Sequence, residues 1–218
     1  IEKEPILLDK IISGGHEIAF HTMHHTKLDE KGFEEKFENE LEQFDKLTSG
    51  KSKGFRAPTF SLNKETSWAI NHLIKKKYLY DSSIVPAKTK MYGFPDAEIS
   101  PYNMSSENIL KEDNTGDLIE FPLMVTKFLG KKIPAGGGFF LRFLPLRTIM
   151  NSINTYQKIG IPSTFYIHSW ELVPELMPSL PLPTVNKFVT YHNLKNALPK
   201  MSKLLEKFEF TSFDRYLK

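Results

Sequence analysis

Cysteine is absent from the 218 residues. That excludes disulfide staples, thiolate metal sites and a cysteine nucleophile, and it suits a reducing or an oxidising compartment equally. Long apolar runs are missing too, and none approaches the roughly 18 residues of a membrane span. Charge of one sign is scarce. With 29 Lys and Arg against 26 Asp and Glu, the net charge of +3 is too small to argue for nucleic acid as partner. The run Lys75-Lys76-Lys77 is the longest block of like charge and reads as a solvated helix end. Repeats and low-complexity linkers are also lacking. The chain opens on Ile, so any signal segment would lie upstream, and the expected compartment is the cytoplasm.

What is abundant is phenylalanine. The 17 Phe supply a large aromatic core or the lining of a groove. Residues 4–13 read as a helix opened by Pro5 and stopped by Gly14-Gly15. Residues 16–21 read as a short buried strand. In 30–48, Phe33, Phe37, Leu41, Phe44 and Leu47 recur at steps of four and three, which marks an amphipathic helix. A strand over 53–60, a helix over 64–77 with Trp68, Leu73 and Ile74 inward, and a strand over 78–84 follow. The alternation of helix and strand predicts parallel strands joined by crossovers, with reactive side chains at the strands' C-terminal ends. Farther on, strands are expected at 118–121, 163–168 and 208–213, and helices at 145–159 and 193–207. Gly136-Gly137-Gly138 lacks the Lys-Ser/Thr of a phosphate loop and reads as backbone that closely approaches a groove. The length suits one domain over 1–218, with 174–218 as a distinct C-terminal segment.

Three polar clusters fall at the predicted strand ends. His21-Thr22-Met23-His24-His25 places three imidazoles in five residues, and the four-residue step from His21 to His25 lets one turn aim both at a single ion. A polar loop bonded to water or backbone explains the same residues. His24 is not expected to be a ligand. Arg56-Ala57-Pro58-Thr59-Phe60 puts an Arg where burial demands a carboxylate partner, for either a structural or a catalytic purpose. Phe165–Glu171 ends an apolar strand in His168, which fits a general acid or base as well as a bonded core histidine, and Trp170 offers a flat face to a sugar ring.

The order of these clusters resembles the NodB-homology polysaccharide deacetylases, carbohydrate esterase family 4. His21–His25 resembles the H-[S/T]-x-x-H motif, Gly15–Ala19 its G-H-E lead-in, Arg56-Ala57-Pro58 the R-x-P motif and Tyr80-Asp81-Ser82-Ser83 the Y-D-S-S segment. Phe165–His168 resembles the strand that ends in the catalytic His. The segments 56–62, 134–140 and 165–172, with the Pro-rich stretch before Tyr191-His192-Asn193-Leu194, are similar to a subgroup encoded in exopolysaccharide biosynthesis loci. Thr59 stands where better-known members carry an aromatic residue, and Ser169 where the subgroup carries Pro.

The resemblance implies an α/β fold, a distorted (β/α) barrel that is N-terminally incomplete, because the family's Asp-bearing first strand would lie upstream of residue 4. It implies de-N-acetylation of N-acetylhexosamine units in an oligo- or polysaccharide. A divalent ion, Zn by preference, would be held by His21, His25 and an upstream Asp, with a second Asp as base. His168 would protonate the leaving amine, and Arg56 would orient the base. Pro58, Thr59, Phe60, Asp81 and Trp170 would bind substrate. Asp214 is an unpromising stand-in for the missing Asp. Two alternatives remain: a catalytically inactive carbohydrate-binding remnant of the fold, and a hydrolase of another non-peptide C–N bond. A truncated barrel would expose strand edges, so either a longer protein or a neighbouring chain that fills the gap is expected, which leaves an oligomer possible.

Overall fold

The computed structural model describes residues 4–218. In chain order the regular elements are α1 (Pro5–Ser13), β1 (Ala19–Phe20), α2 (Glu34–Leu47), β2 (Gly54–Phe55), α3 (Trp68–Lys75), β3 (Tyr80–Asp81), β4 (Tyr102–Met104), β5 (Leu118–Glu120), β6 (Val125–Phe128) and β7 (Lys131–Pro134). Then come α4 (Phe139–Phe143), α5 (Leu146–Lys158), α6 (Ser169–Leu172), α7 (Thr184–Tyr191), α8 (Ala197–Lys207) and α9 (Phe213–Tyr216). They form two compact units. One is the chain as far as Pro122 together with Thr211–Lys218, and the other is Leu123–Phe210.

The first unit is built on a five-stranded sheet in the order β1-β2-β3-β5-β4. β1, β2, β3 and β5 run parallel, as the helix–strand alternation predicts, and β4 joins antiparallel at the edge. The α/β class is therefore as expected. Among the described residues the sheet is open in its pairing, and the parallel strands are consistent with an arc of the expected barrel. The strands are shorter than their apolar patterns, because the chain leaves the sheet as soon as it reaches the polar clusters. Phe20, Phe37 and Phe55 lie within 6 Å of one another, ring centre to ring centre, and all three are buried. This cluster is where the helical period of α2 meets β1 and β2. Gly54, beside Phe55 on β2, makes room for a different ring: a Cβ there would sit 1.9 Å from Tyr80.

The second unit opens with the hairpin β6–β7, turned by Leu129-Gly130, both at positive φ, the left-handed geometry that two-residue hairpin turns favour. α5 packs through Ile149, Ile153 and Tyr156, and the Tyr156 hydroxyl accepts the Val125 N–H at 3.0 Å. The strand expected over 163–168 is reduced to two single-residue parallel bridges, Leu123 to Thr164 and Gly137 to Tyr166. The glycine run explains this. Gly137 sits at φ +109°, outside strand geometry, so the ladder cannot propagate. The expected close approach of these glycines is real, but it is to the Thr164–Tyr166 backbone, not a groove. The strand expected over 208–213 is also absent. The Ser212 hydroxyl accepts the Arg215 N–H and starts α9 instead, which belongs to the first unit, and within that unit the Phe213 ring packs on Tyr80 and Phe121.

A Cβ at Gly137 would lie 1.7 Å from the Tyr166 carbonyl oxygen. Gly137→Ala is therefore expected to destabilise the protein by on the order of 3 kcal/mol, read as a lower midpoint in denaturant unfolding. Gly50→Ala, where nothing lies within 4 Å, is expected to cost less, through its positive φ alone.

Candidate functional site

The parallel register sets one row across the sheet: Phe20 beside Phe55, Phe55 beside Asp81, Asp81 beside Glu120. The residues one step beyond that row are His21, Arg56, Ser82 and Phe121, and side chains tie them in sequence. The His21 Nδ1–H donates to the Arg56 carbonyl at 2.7 Å. The Arg56 guanidinium donates to the Ser82 carbonyl at 2.7 Å and to its hydroxyl at 2.6 Å, and that hydroxyl donates to the Phe121 carbonyl at 2.8 Å. The His21 and His25 rings stand edge to face at 5.0 Å, both on the exposed side of the loop.

Backbone geometry in these loops is unusual. Thr22, His25, Thr59 and Phe60 all have φ between 53° and 57°, the left-handed region that non-glycine residues rarely enter. Such strain persists where surrounding contacts over-determine the conformation, and it clusters at ligand sites. Pro58 is buried and opens the tight turn Pro58–Phe60. Thr59 and Phe60 line a cavity of 460 Å³ with Lys27, Asn63, Lys88 and Tyr92, where the Phe60 and Tyr92 rings meet at 4.9 Å.

Asp81 is a correction. It was expected at the substrate, but it is fully buried. Its carboxylate takes the Ser83 hydroxyl at 2.6 Å and the Ser83 N–H at 3.2 Å, and it faces Glu120, which is equally buried and takes the Ile84 N–H at 2.9 Å. Burial pushes both carboxyls above the ordinary range. The Asp81 charge pushes Glu120 further up, while hydrogen bonds from Glu120 and Ser83 and the Arg56 charge pull Asp81 back. Two buried carboxyls facing each other, both held above the ordinary range, favour retaining a proton between them. Composition hides Glu120, but a carboxylate inside the apolar run Leu118–Phe121 was the available signal.

Glu17, from the G-H-E lead-in, accepts the Tyr80 hydroxyl and the Asp214 N–H. Burial, and after it the Glu17 carboxylate, push the Tyr80 hydroxyl up. Asp214 pairs with Lys218 at 2.7 Å.

In the second unit, His168 precedes α6. Its Nδ1 lies 2.8 Å from Glu171 Oε2, and its backbone N–H donates to the same oxygen at 3.0 Å. Trp170 stacks on the His168 ring at 5.2 Å and 22°.

Two imidazoles in the first unit fit a divalent ion as far as they go. The Arg56 carbonyl holds the His21 Nδ1–H, the kind of second contact that orients a metal-binding imidazole. Among the described residues no group of three or more His, Asp or Glu is placed to complete such a site.

The family model described as a domain of unknown function, DUF3473, matches residues 82–218, well over half the sequence. The chain belongs to that family. The polysaccharide deacetylase family model matches residues 1–76. Together these matches bear out the resemblance to NodB-type polysaccharide deacetylases, and the similarity to the exopolysaccharide-locus subgroup fits the DUF3473 match. Among solved structures, a polysaccharide deacetylase described from Mycobacterium smegmatis is 17% identical, covering 89% of this chain and 69% of that one at a TM-score of 0.51. A 4-alpha-glucanotransferase from Thermococcus litoralis is 14% identical, covering 99% of this chain and 30% of that one at 0.52. At these identities both show likeness of fold alone. No curated protein matches the chain.

The buried carboxyl pair carries a pH signature. Both groups have folded-state pKa values above their unfolded ones, so their contribution to stability is complete below the ordinary carboxyl range and is lost as pH rises through the folded values. Glu120→Gln keeps a donor toward Asp81 and removes the second charge. Its unfolding midpoint relative to the unsubstituted protein is expected to rise steadily from mildly acid to alkaline pH. A constant difference across that range would contradict the shared proton.

Proposed function

We propose that the protein hydrolyses the N-acetyl amide of N-acetylhexosamine units in a polysaccharide, using a divalent ion, Zn by preference. The observation that carries the reading is the hydrogen bond from the His21 ring to the Arg56 carbonyl, the kind of contact that orients a metal-binding imidazole, with the His25 ring 5.0 Å away. His21 and His25 would hold the ion, which when bound supplies Lewis acidity at the amide carbonyl and an acidified water. Arg56, bonded at two points to Ser82, holds rigid the turn whose carbonyl fixes the His21 ring. Pro58 sets that turn, and Thr59 and Phe60 present to the cavity a hydroxyl and an aromatic face of the kind sugars use. The reading assigns His168 the proton that the leaving amine takes up, and Trp170 a stacking face.

A second reading is a carbohydrate-binding protein of this fold that does not hydrolyse. It is favoured by the two imidazoles having no third ligand grouped with them among the described residues.

The two readings separate in one assay: acetate released from N-acetylglucosamine oligomers with added Zn, alongside bound Zn per chain. His21→Ala and His25→Ala are expected to lose both the metal and the acetate release, and His168→Gln to keep the metal while releasing acetate about 10²–10⁴-fold more slowly. Equal release from the unsubstituted protein and His21→Ala would sink the metal-hydrolase reading. Oligomer binding with no release from any form would establish the second.

A further inference from the structure

The second unit spends its largest buried charge on one glutamate. Arg142 is 2% exposed and Glu171 is 0% exposed, although the helix α6 that carries Glu171 is a single turn of four residues. Arg142 Nε donates to Glu171 Oε1 at 2.7 Å. Three of its four remaining donors reach the carbonyls of Val189, Thr190 and His192 at the C-terminal end of α7, at 2.9, 3.3 and 2.5 Å. The guanidinium face lies 5.6 Å from the Trp170 ring and 5.7 Å from that of Phe139. Four hydrogen bonds and two ring faces thus hold the guanidinium in place.

The consequence falls on Glu171. One carboxylate oxygen is held by Arg142, so the other is aimed by default, and it accepts two donors from His168: the backbone N–H at 3.0 Å and Nδ1 at 2.8 Å. A carboxylate that accepts from Arg142 and from a backbone N–H cannot supply a proton, so the ring nitrogen facing it must. Burial alone would raise the Glu171 carboxyl, but its hydrogen bonds to His168 and Arg142 hold it below the ordinary range, in keeping with a permanent acceptor. The imidazole is 48% exposed at its side chain, with Trp170 stacked on one face.

We propose that Glu171 is the positioning residue of His168. Anchored by Arg142, it locks the ring in the Nδ1–H tautomer and leaves Nε2 as the nitrogen that exchanges a proton with substrate. The catalytic part of this statement rests on the reading of His168 as proton donor. The tautomer itself does not. The signal in the sequence was the three-residue step from His168 to Glu171, the spacing at which a residue before a helix and an acid inside its first turn meet.

The test is a pair of measurements on the full chain. Nitrogen-15 shifts of the His168 ring, taken where the imidazole is neutral, are expected to show a protonated Nδ1 and a bare Nε2. In Glu171→Gln the single amide oxygen stays with Arg142, which always carries its charge, and the NH₂ group replaces the oxygen opposite His168. The ring is then expected to flip to the Nε2–H tautomer, and kcat for acetate release to fall about 10²–10⁴-fold with KM nearly unchanged. Glu171→Asp, which keeps the charge, is expected to recover part of both. A mixed or Nε2–H ring in the unsubstituted protein overturns the proposal whatever the activity, and needs no variant to fold. A protonated Nδ1 with no acetate release supports the positioning contact and overturns the hydrolase reading.

Discussion

Parallel pairing of β1, β2, β3 and β5 puts Phe20, Phe55, Asp81 and Glu120 in one row, and the next residue of each strand turns that row into a site. In sequence, His21, Arg56, Ser82 and Phe121 are tens of residues apart. In the sheet each is bonded to the next, imidazole to carbonyl, guanidinium to serine, hydroxyl to carbonyl. A slip of one residue in any pairing would break this relay, and a slip between β3 and β5 would turn Asp81 and Glu120 away from each other, because strand side chains alternate faces. The state of the His21 ring is thus a property of the register of the whole sheet.

The two units bury carboxylates by different means. In the first, Asp81 and Glu120 face each other, and burial raises both carboxyls, which favours the neutral form. In the second, Glu171 stays charged because Arg142 is buried beside it and two His168 donors complete its shell. Removing one partner from such a pair is costly because the other is left charged and dry. Both arrangements lie next to residues expected to act on substrate. Both also fix the direction of a neighbouring side chain: Ser83 against Asp81, His168 against Glu171.

Much of the fold was legible in the sequence because it rests on local period. The spacing of Phe33, Phe37, Leu41 and Phe44 gave α2, Pro5 and Gly14-Gly15 bracketed α1, and the alternation of elements gave the parallel order. The His21–His25 and Arg56–Phe60 clusters were legible as chemistry because imidazoles and a guanidinium at strand ends need partners. The strands expected over 163–168 and 208–213 were misread because propensity carries no information about a partner. Gly137 at positive φ interrupts one ladder, and a Ser212 cap with the packing of Phe213 diverts the other. α7 left no mark because none of its residues is buried, so no apolar period had to be kept.

The sequence by itself determined the residue types, their order along the chain and the family they resemble, since these depend on composition and spacing alone. Only the tertiary structure decided which partner each polar group has. It moved Asp81 from the substrate into a buried acid pair with Glu120, gave His21 its tautomer through a carbonyl 35 residues away, and set Glu171 between Arg142 and His168. A hydrogen bond between distant segments depends on register and burial, and no window of sequence contains both of its ends.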